Sequence, residues 1–147
     1  MNVEITQDEK FLVTAVEIRC REKTKEVLKL KKYIENYRAG IVADEDGEKL
    51  IVGADKILYI ESVDKKTFLY TEDKVLSTDK RLYELEEILD RADFFRCSKS
   101  VIVNLNKITR LKPEITRNIL ATLSNGEVVV VSRRYASELK KKLGIGD

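Results

Sequence analysis

Apolar positions recur along this chain with two different periods, and the change from one to the other marks most of its elements. Near the start Val3 and Ile5 alternate with polar residues; after the acidic QDEK comes FLVTAVEIRC, in which Val16, Ile18 and Cys20 alternate with Glu17 and Arg19. A period of two is that of a half-buried strand, so residues 1–22 read as strand. The period then lengthens. Val27, Leu30, Ile34 and Tyr37 are spaced three, four and three apart, which places them on one helical face behind Thr24 as N-cap. The spacing predicts a helix over about 24–38, stopped near Gly40.

Beyond that helix, DEDG at 44–47 predicts a turn between IVA and KLIVG. ILYIES, KTFLYT and KVLST read as successive strands, the first two separated by VDKK. Leu82, Leu85 and Leu89 form a helical stripe, with Thr78 or Ser77 as cap and Asp79 in the first turn. Strands are predicted near 94–98, 100–105, 107–112, 116–123 and 127–132, with Asn-Gly in SNGE marking a hairpin. A short helix from Tyr135 to Leu143 ends at Gly144. The expected class is mainly β within α+β: about ten short strands, a few short helices and an N-terminal strand–helix extension. The best boundary lies in 38–48, giving an extension over residues 1–45 and a strand-rich body over 46–147.

Composition narrows the chemistry. The 147 residues are 43% hydrophobic and 37% charged, as in a folded, highly charged domain. No apolar run approaches the roughly 18 residues of a membrane helix, and residues 1–20 lack a signal-peptide pattern. Cys20 and Cys97, far apart, make no disulfide framework, which points to reduced thiols and a cytoplasmic location. Histidine is absent, which removes Ser–His and Cys–His pairs and the commonest zinc ligand. DEDG lacks the spaced ligands of a calcium loop, and Gly40 and Gly47 do not form a phosphate loop. Glu84, Glu86 and Glu87 flank an apolar stripe and are expected to be solvated. Cys97 beside Arg96 is a candidate reactive thiol, outweighed by its reading as a small core residue. No enzyme activity, cofactor or metal site is expected.

Charge is unevenly spread. From Arg96 to Lys142 there are 11 Lys and Arg against three Glu, a net of +8, while residues 1–95 carry 17 Lys and Arg against 22 Asp and Glu. A basic last third suits a polyanionic partner, since clustered cations release counterions from phosphates. Three polar, cationic steps interrupt the strands: Asp64–Lys66, Ser98–Ser100, and Ser132–Arg134 after four valines. Each step alone is an ordinary polar turn. Three in one strand-rich body favour nucleic acid, with Arg suited to guanine and Lys and Ser to phosphates or base edges.

The combination of ILYIES at 57–62, LYELEEIL at 82–89 before FFRCSKSVIVNLNKI, and NGEVVVVSRRY at 125–135 resembles the LytTR-type bacterial DNA-binding domains over roughly 48–145. The resemblance implies an antiparallel β-fold that inserts loops into the grooves of double-stranded DNA at direct repeats, and so a sequence-specific transcriptional regulator. Carried over by position, it puts Lys65 and Lys66, then Arg96, Ser98, Lys99 and Ser100, then Arg133 and Arg134 at DNA, with Arg134 favoured as base reader. Some relatives carry histidine or asparagine in the first two loops, which this chain does not. The short extension resembles the stand-alone subgroup without a receiver domain. That subgroup implies a small membrane regulator as partner, and a homodimer, at least on DNA, also fits. The alternative is an interaction module bound by a membrane regulator, with only weak DNA affinity.

Overall fold

A computed structural model describes residues 1–12, 14–36 and 40–146. Its elements follow in chain order: α1 (Lys25–Asn36), the hairpin β1 (Ile41–Glu45) and β2 (Glu48–Val52), then β3 (Tyr59–Val63), β4 (Lys66–Tyr70) and β5 (Val75–Thr78). After α2 (Leu82–Ile88) come β6 (Phe94–Arg96), β7 (Val101–Asn104), β8 (Ile108–Pro113), β9 (Ile119–Leu123), β10 (Val128–Val131) and α3 (Arg133–Leu143). A seven-stranded sheet has the order β2-β1-β5-β4-β3-β7-β6, and a three-stranded sheet the order β10-β9-β8. Every strand pairing is antiparallel.

Two apolar clusters explain the strands that showed no clean alternation. One face of the large sheet buries Ile60, Leu69, Leu76, Phe94 and Ile102 against Leu82 and Leu85 of α2 and Leu89 at its C-cap. The second cluster joins Leu58, Phe95, Cys97 and Val103 to Ile119, Ala121, Val129 and Val131 of the small sheet and to Ala136 and Leu139 of α3. Thus Phe94 and Phe95, and Ile102 and Val103, bury on opposite faces. β6 and β7 are sandwiched, so both of their faces are apolar. Buried Asn104 ties this region to β3's approach: its Nδ2 donates to the Ile57 carbonyl at 2.9 Å and its Oδ1 accepts from Asn106 N.

Several local expectations change. Among the described residues of 1–24 there is no strand; period-two alternation specifies a face but supplies no partner. Thr24 does cap α1, its Oγ1 accepting from Val27 N at 3.3 Å, while Tyr37 lies outside the described residues. α1 rests on α2 through Tyr33, whose hydroxyl donates to Asp90 Oδ2 at 3.0 Å, and through the Lys32–Glu87 pair at 3.8 Å. Thr78 does not cap α2. It lies in β5, and its hydroxyl donates to the Val42 carbonyl at 3.0 Å, joining β5 to β1. Glu84 reaches back instead to Arg81 N at 3.1 Å. Gly40 is constrained twice over: φ is +70°, and a Cβ there would meet the Val52 carbonyl oxygen at 2.5 Å. It lets the chain enter β1 pressed against the end of β2.

Candidate nucleic-acid interface

The polar step between β6 and β7 is firmly held. Cys97 at its root is fully buried. Its N–H donates to the Val101 carbonyl at 3.0 Å, and its own carbonyl accepts from Ser132 N at 2.9 Å. Ser100 N donates to Ser98 Oγ at 3.2 Å, while the Ser100 carbonyl accepts from Ser62 N at 2.8 Å. Lys99 stands exposed at the tip, with Ser98 and Ser100 half-buried beneath it. Burial pushes the Cys97 thiol up to about 12, against the lowering effect of its own backbone and then of Arg96. A thiol so protonated is a core residue and a poor nucleophile.

Arg96 points inward to this turn. Its Nε donates to the Ser98 carbonyl at 2.9 Å, one terminal nitrogen to the Lys99 carbonyl, and the other to Glu86 on α2. The guanidinium fork therefore braces the backbone of the turn that lifts Lys99. Glu86, expected to be solvated, is its anchor, and Glu84 and Glu87 are likewise engaged, with Arg81 N and Lys32. A side chain on the edge of an apolar stripe can reach a neighbouring strand, and only the fold shows which one.

The first step is built differently. Val63 and Lys66 close the β3–β4 ladder, leaving Asp64 and Lys65 as a two-residue turn with φ of 50° and 66°. Two left-handed central residues make a type I′ turn, a conformation that glycine and asparagine favour and lysine does not. Below it the cross-strand pair Tyr59–Tyr70 stacks at 4.2 Å between centroids. Tyr59 donates to Glu127 at 2.7 Å and Tyr70 to Glu61 at 3.2 Å. Partial burial, then these carboxylates, raise both phenols above their ordinary range.

The third step starts a helix rather than ending a strand. The β10 ladder stops at Val131 opposite Ile119. Ser132 N is taken by Cys97, and the Ser132 carbonyl accepts from Tyr135 N at 2.8 Å, so α3 begins at Arg133, two residues earlier than its apolar spacing predicts. Ser132 makes no side-chain cap bond; Asn118, from the β8–β9 hairpin, accepts from Arg133 N at 2.9 Å in its place. Arg133 and Arg134 are exposed in a first turn with no acid. Cations at the positive end of a helix dipole are locally unfavourable by about 0.3–1 kcal/mol each. An arriving anion reverses that sign. At the far end Lys142 donates to the Arg91 carbonyl and lies over the Phe95 ring, fixing α3 to the body.

The three steps are therefore linked through the backbone, Ser62 to Ser100 and Cys97 to Ser132. Lys65, Lys66, Lys99, Arg133 and Arg134 are all exposed, and none of their side chains makes an ion pair or hydrogen bond with another described residue. Sequence reasoning missed Ser62, Glu86 and Asn118, which position the steps. Asn118 carried a signal, as an amide just beyond a turn, but its partner lies 15 residues away.

The geometry has counterparts among known proteins. The family model described as LytTr DNA-binding domain matches residues 47–144. A sensory transduction protein LytT of Bacillus anthracis is 36% identical over 96 residues, covering 65% of this chain and 39% of that protein. The transcriptional regulatory protein YpdB of Escherichia coli K12 is 31% identical over 108 residues, covering 73% of this chain and 43% of YpdB. The chain thus spans about two fifths of the length of these curated relatives. A solved LytTr DNA-binding domain from Bacillus cereus superposes with a TM-score of 0.69 at 34% identity, covering 73% of this chain and 98% of the solved one.

Proposed function

Because the chain belongs to the LytTR family of DNA-binding domains, we propose that it is a sequence-specific transcriptional regulator whose three polar steps enter the grooves of a direct-repeat duplex. The observation that carries this reading is the set of five exposed cations, without a partner among the described residues, on steps joined by Ser62–Ser100 and Cys97–Ser132 hydrogen bonds. In it, Lys65, Lys66 and Lys99 contact phosphates or guanine edges, Ser98 and Ser100 donate to the backbone, and Arg133 and Arg134 approach at the start of α3. Arg134 reads a base. Arg96 acts one step back, setting the height of Lys99. The protein works in the cytoplasm, as a homodimer at least on DNA, with residues 1–45 as its extension and 46–147 as the DNA-binding unit. No catalytic step is assigned to it.

Selection from random duplexes tests the reading directly, by recovering a repeated motif whose binding weakens steeply with salt. Arg134→Ala is expected to cost about 1–3 kcal/mol on the selected duplex and to relax preference at one base pair. An equal loss on random DNA makes Arg134 a phosphate contact instead.

A second reading, an interaction module held by a small membrane regulator and only weakly attached to DNA, is favoured by one observation. No described side chain in residues 1–36 is buried. No helix among the described residues is long and apolar enough to cross a membrane. Deleting residues 1–36 separates the readings while sparing Ile41 and Ala43, which lie in the core. Retained specific binding supports the first; retained regulation without it supports the second.

A further inference from the structure

We propose that residues 14–20 of one copy of this chain pair as an additional strand along the open edge of β2 in a second copy. The segment has the composition of a strand without a strand's partner. Val16, Ile18 and Cys20 share one parity, with Glu17 and Arg19 on the other. Yet Val16 is 63% exposed, and no strand forms among the described residues before α1. An alternating segment gains stability only by burying its apolar face and pairing its backbone N–H and C=O groups. In the single copy its described residues pair with no strand, and of its apolar positions Ile18 alone is half-buried.

The edge it fits is β2. Among the described residues this strand bonds to β1 alone, so its outer row of backbone donors and acceptors is open to them. It carries Leu50, Ile51 and Val52 in succession, and its pairing with β1 shows no register shift. Ile51 is 72% exposed beside its cross-strand partner Val42 at 47%, leaving an aliphatic shelf at the margin of the large sheet. The other edges are blunted. β8 presents Arg110, Lys112 and Pro113, while β6 and β10 meet each other through Cys97 and Ser132.

The occupant follows from what the molecule leaves unused. An unpaired strand-forming segment and an unpaired edge lie in one chain, where they do not meet, and a second copy supplies each with the other. Reciprocal exchange closes the assembly as a two-fold dimer with two identical contacts. The segment brings Arg19 on its polar parity, and β2 brings exposed Glu48 on the face opposite Ile51, while Lys49 is held by Asp44 at 2.6 Å. α1 stays on its own body through Tyr33 and Asp90 and serves as the arm that carries the segment across.

Sedimentation of the full chain without DNA tests this. Twice the chain mass is expected at about 100 µM. Val16→Asp in the segment and Ile51→Lys on the edge each raise the dimer dissociation constant at least about tenfold, with circular dichroism unchanged. Mixing the two variants restores one intact contact, because wild-type segment then meets wild-type edge in trans, so dimer reappears in the mixture. A wild-type chain that remains monomeric at that concentration overturns the proposal, whether residues 14–20 stay free or fold onto their own body. A dimer that survives Val16→Asp also overturns it, as does a mixture that stays monomeric.

Discussion

Two lysine-bearing turns stand side by side in this protein, and they are held by different means. The β6–β7 turn that presents Lys99 is fixed from outside. Arg96 takes two of its carbonyls, Ser62 and Ser132 bind its ends, and buried Cys97 anchors its root. The β3–β4 turn that presents Lys65 and Lys66 is fixed only by its own ladder, at the expense of left-handed backbone at Asp64 and Lys65. Tertiary bracing gives one defined height for a cation, as reading a base edge demands. A two-residue hairpin end gives charge at a known place with freedom in the side chain, which suffices for phosphate.

The largest contrast is expected in thiol reactivity, because Cys97 belongs to the root of the braced turn while Cys20 is exposed. A maleimide should modify Cys20 at least about a hundredfold faster than Cys97 in the folded protein at concentrations too low for two copies to associate, with Cys97 reacting only on unfolding. The pH dependence follows in sign. With the folded thiol at about 12 against an ordinary 9.0, the folded state holds a proton that the unfolded state loses between those values. The stability this contributes is complete below pH 9 and is lost as pH rises toward 12. Equal labelling of both thiols in the native state removes the case for a rigid root.

Next in size is Arg96→Ala. It strips the Ser98 and Lys99 carbonyls of their donor and leaves Glu86 unpaired. Affinity for a selected duplex should fall about tenfold or more, and denaturant midpoints should register a loss of about 1–2 kcal/mol. Arg96→Lys restores the charge but not the fork and should recover little. If Lys restores binding fully, Arg96 acts through charge alone and the brace is irrelevant to recognition.

Much of this was legible in the sequence, for identifiable reasons. Apolar flanks around FFRCSKSVIVN announced two strands and a polar turn, and the Asn-Gly pair announced the β9–β10 hairpin. There only Gly126 takes positive φ, at 88°. Strand assignment failed at residues 1–22, where the pattern was right and the partner was missing. The last helix starts at Arg133 rather than Tyr135 because the end of β10 is set by a hydrogen bond from Ser132 to Cys97, 35 residues upstream. Glu86 was assigned to solvent because its partner is on another element. Period shows which side of an element is apolar; it does not show what the polar side touches.

The hairpin turn supplies a change whose two effects have opposite signs. Lys65→Gly places the preferred residue at a φ of 66°. Stability should rise by about 0.5–1 kcal/mol. Binding should weaken severalfold at moderate salt, and the slope of log affinity against log salt should flatten by about one. A loss confined to one base pair, with the slope unchanged, would make Lys65 a reader and erase the distinction between the turns.

Glu86→Gln should have the smallest effect, and it divides the brace into geometry and charge. The amide oxygen still accepts from Arg96, so the fork keeps its orientation while the ion pair is lost. Both side chains are roughly one third exposed, where an ion pair contributes about 0.2–1 kcal/mol. Denaturation should shift within that range, and binding to the selected duplex should change less than about threefold. Removing a negative charge beside a DNA-facing turn also lowers repulsion of phosphate, so binding to random duplexes should tighten slightly while the selected duplex loses. The ratio of the two affinities is therefore the measurement that matters. A fall in that ratio without a fall in stability means that Glu86 serves recognition, through the position it gives Arg96 and hence Lys99. An unchanged ratio means that the two carbonyl contacts hold Arg96 without help, and the braced turn then consists of β6 and β7 alone.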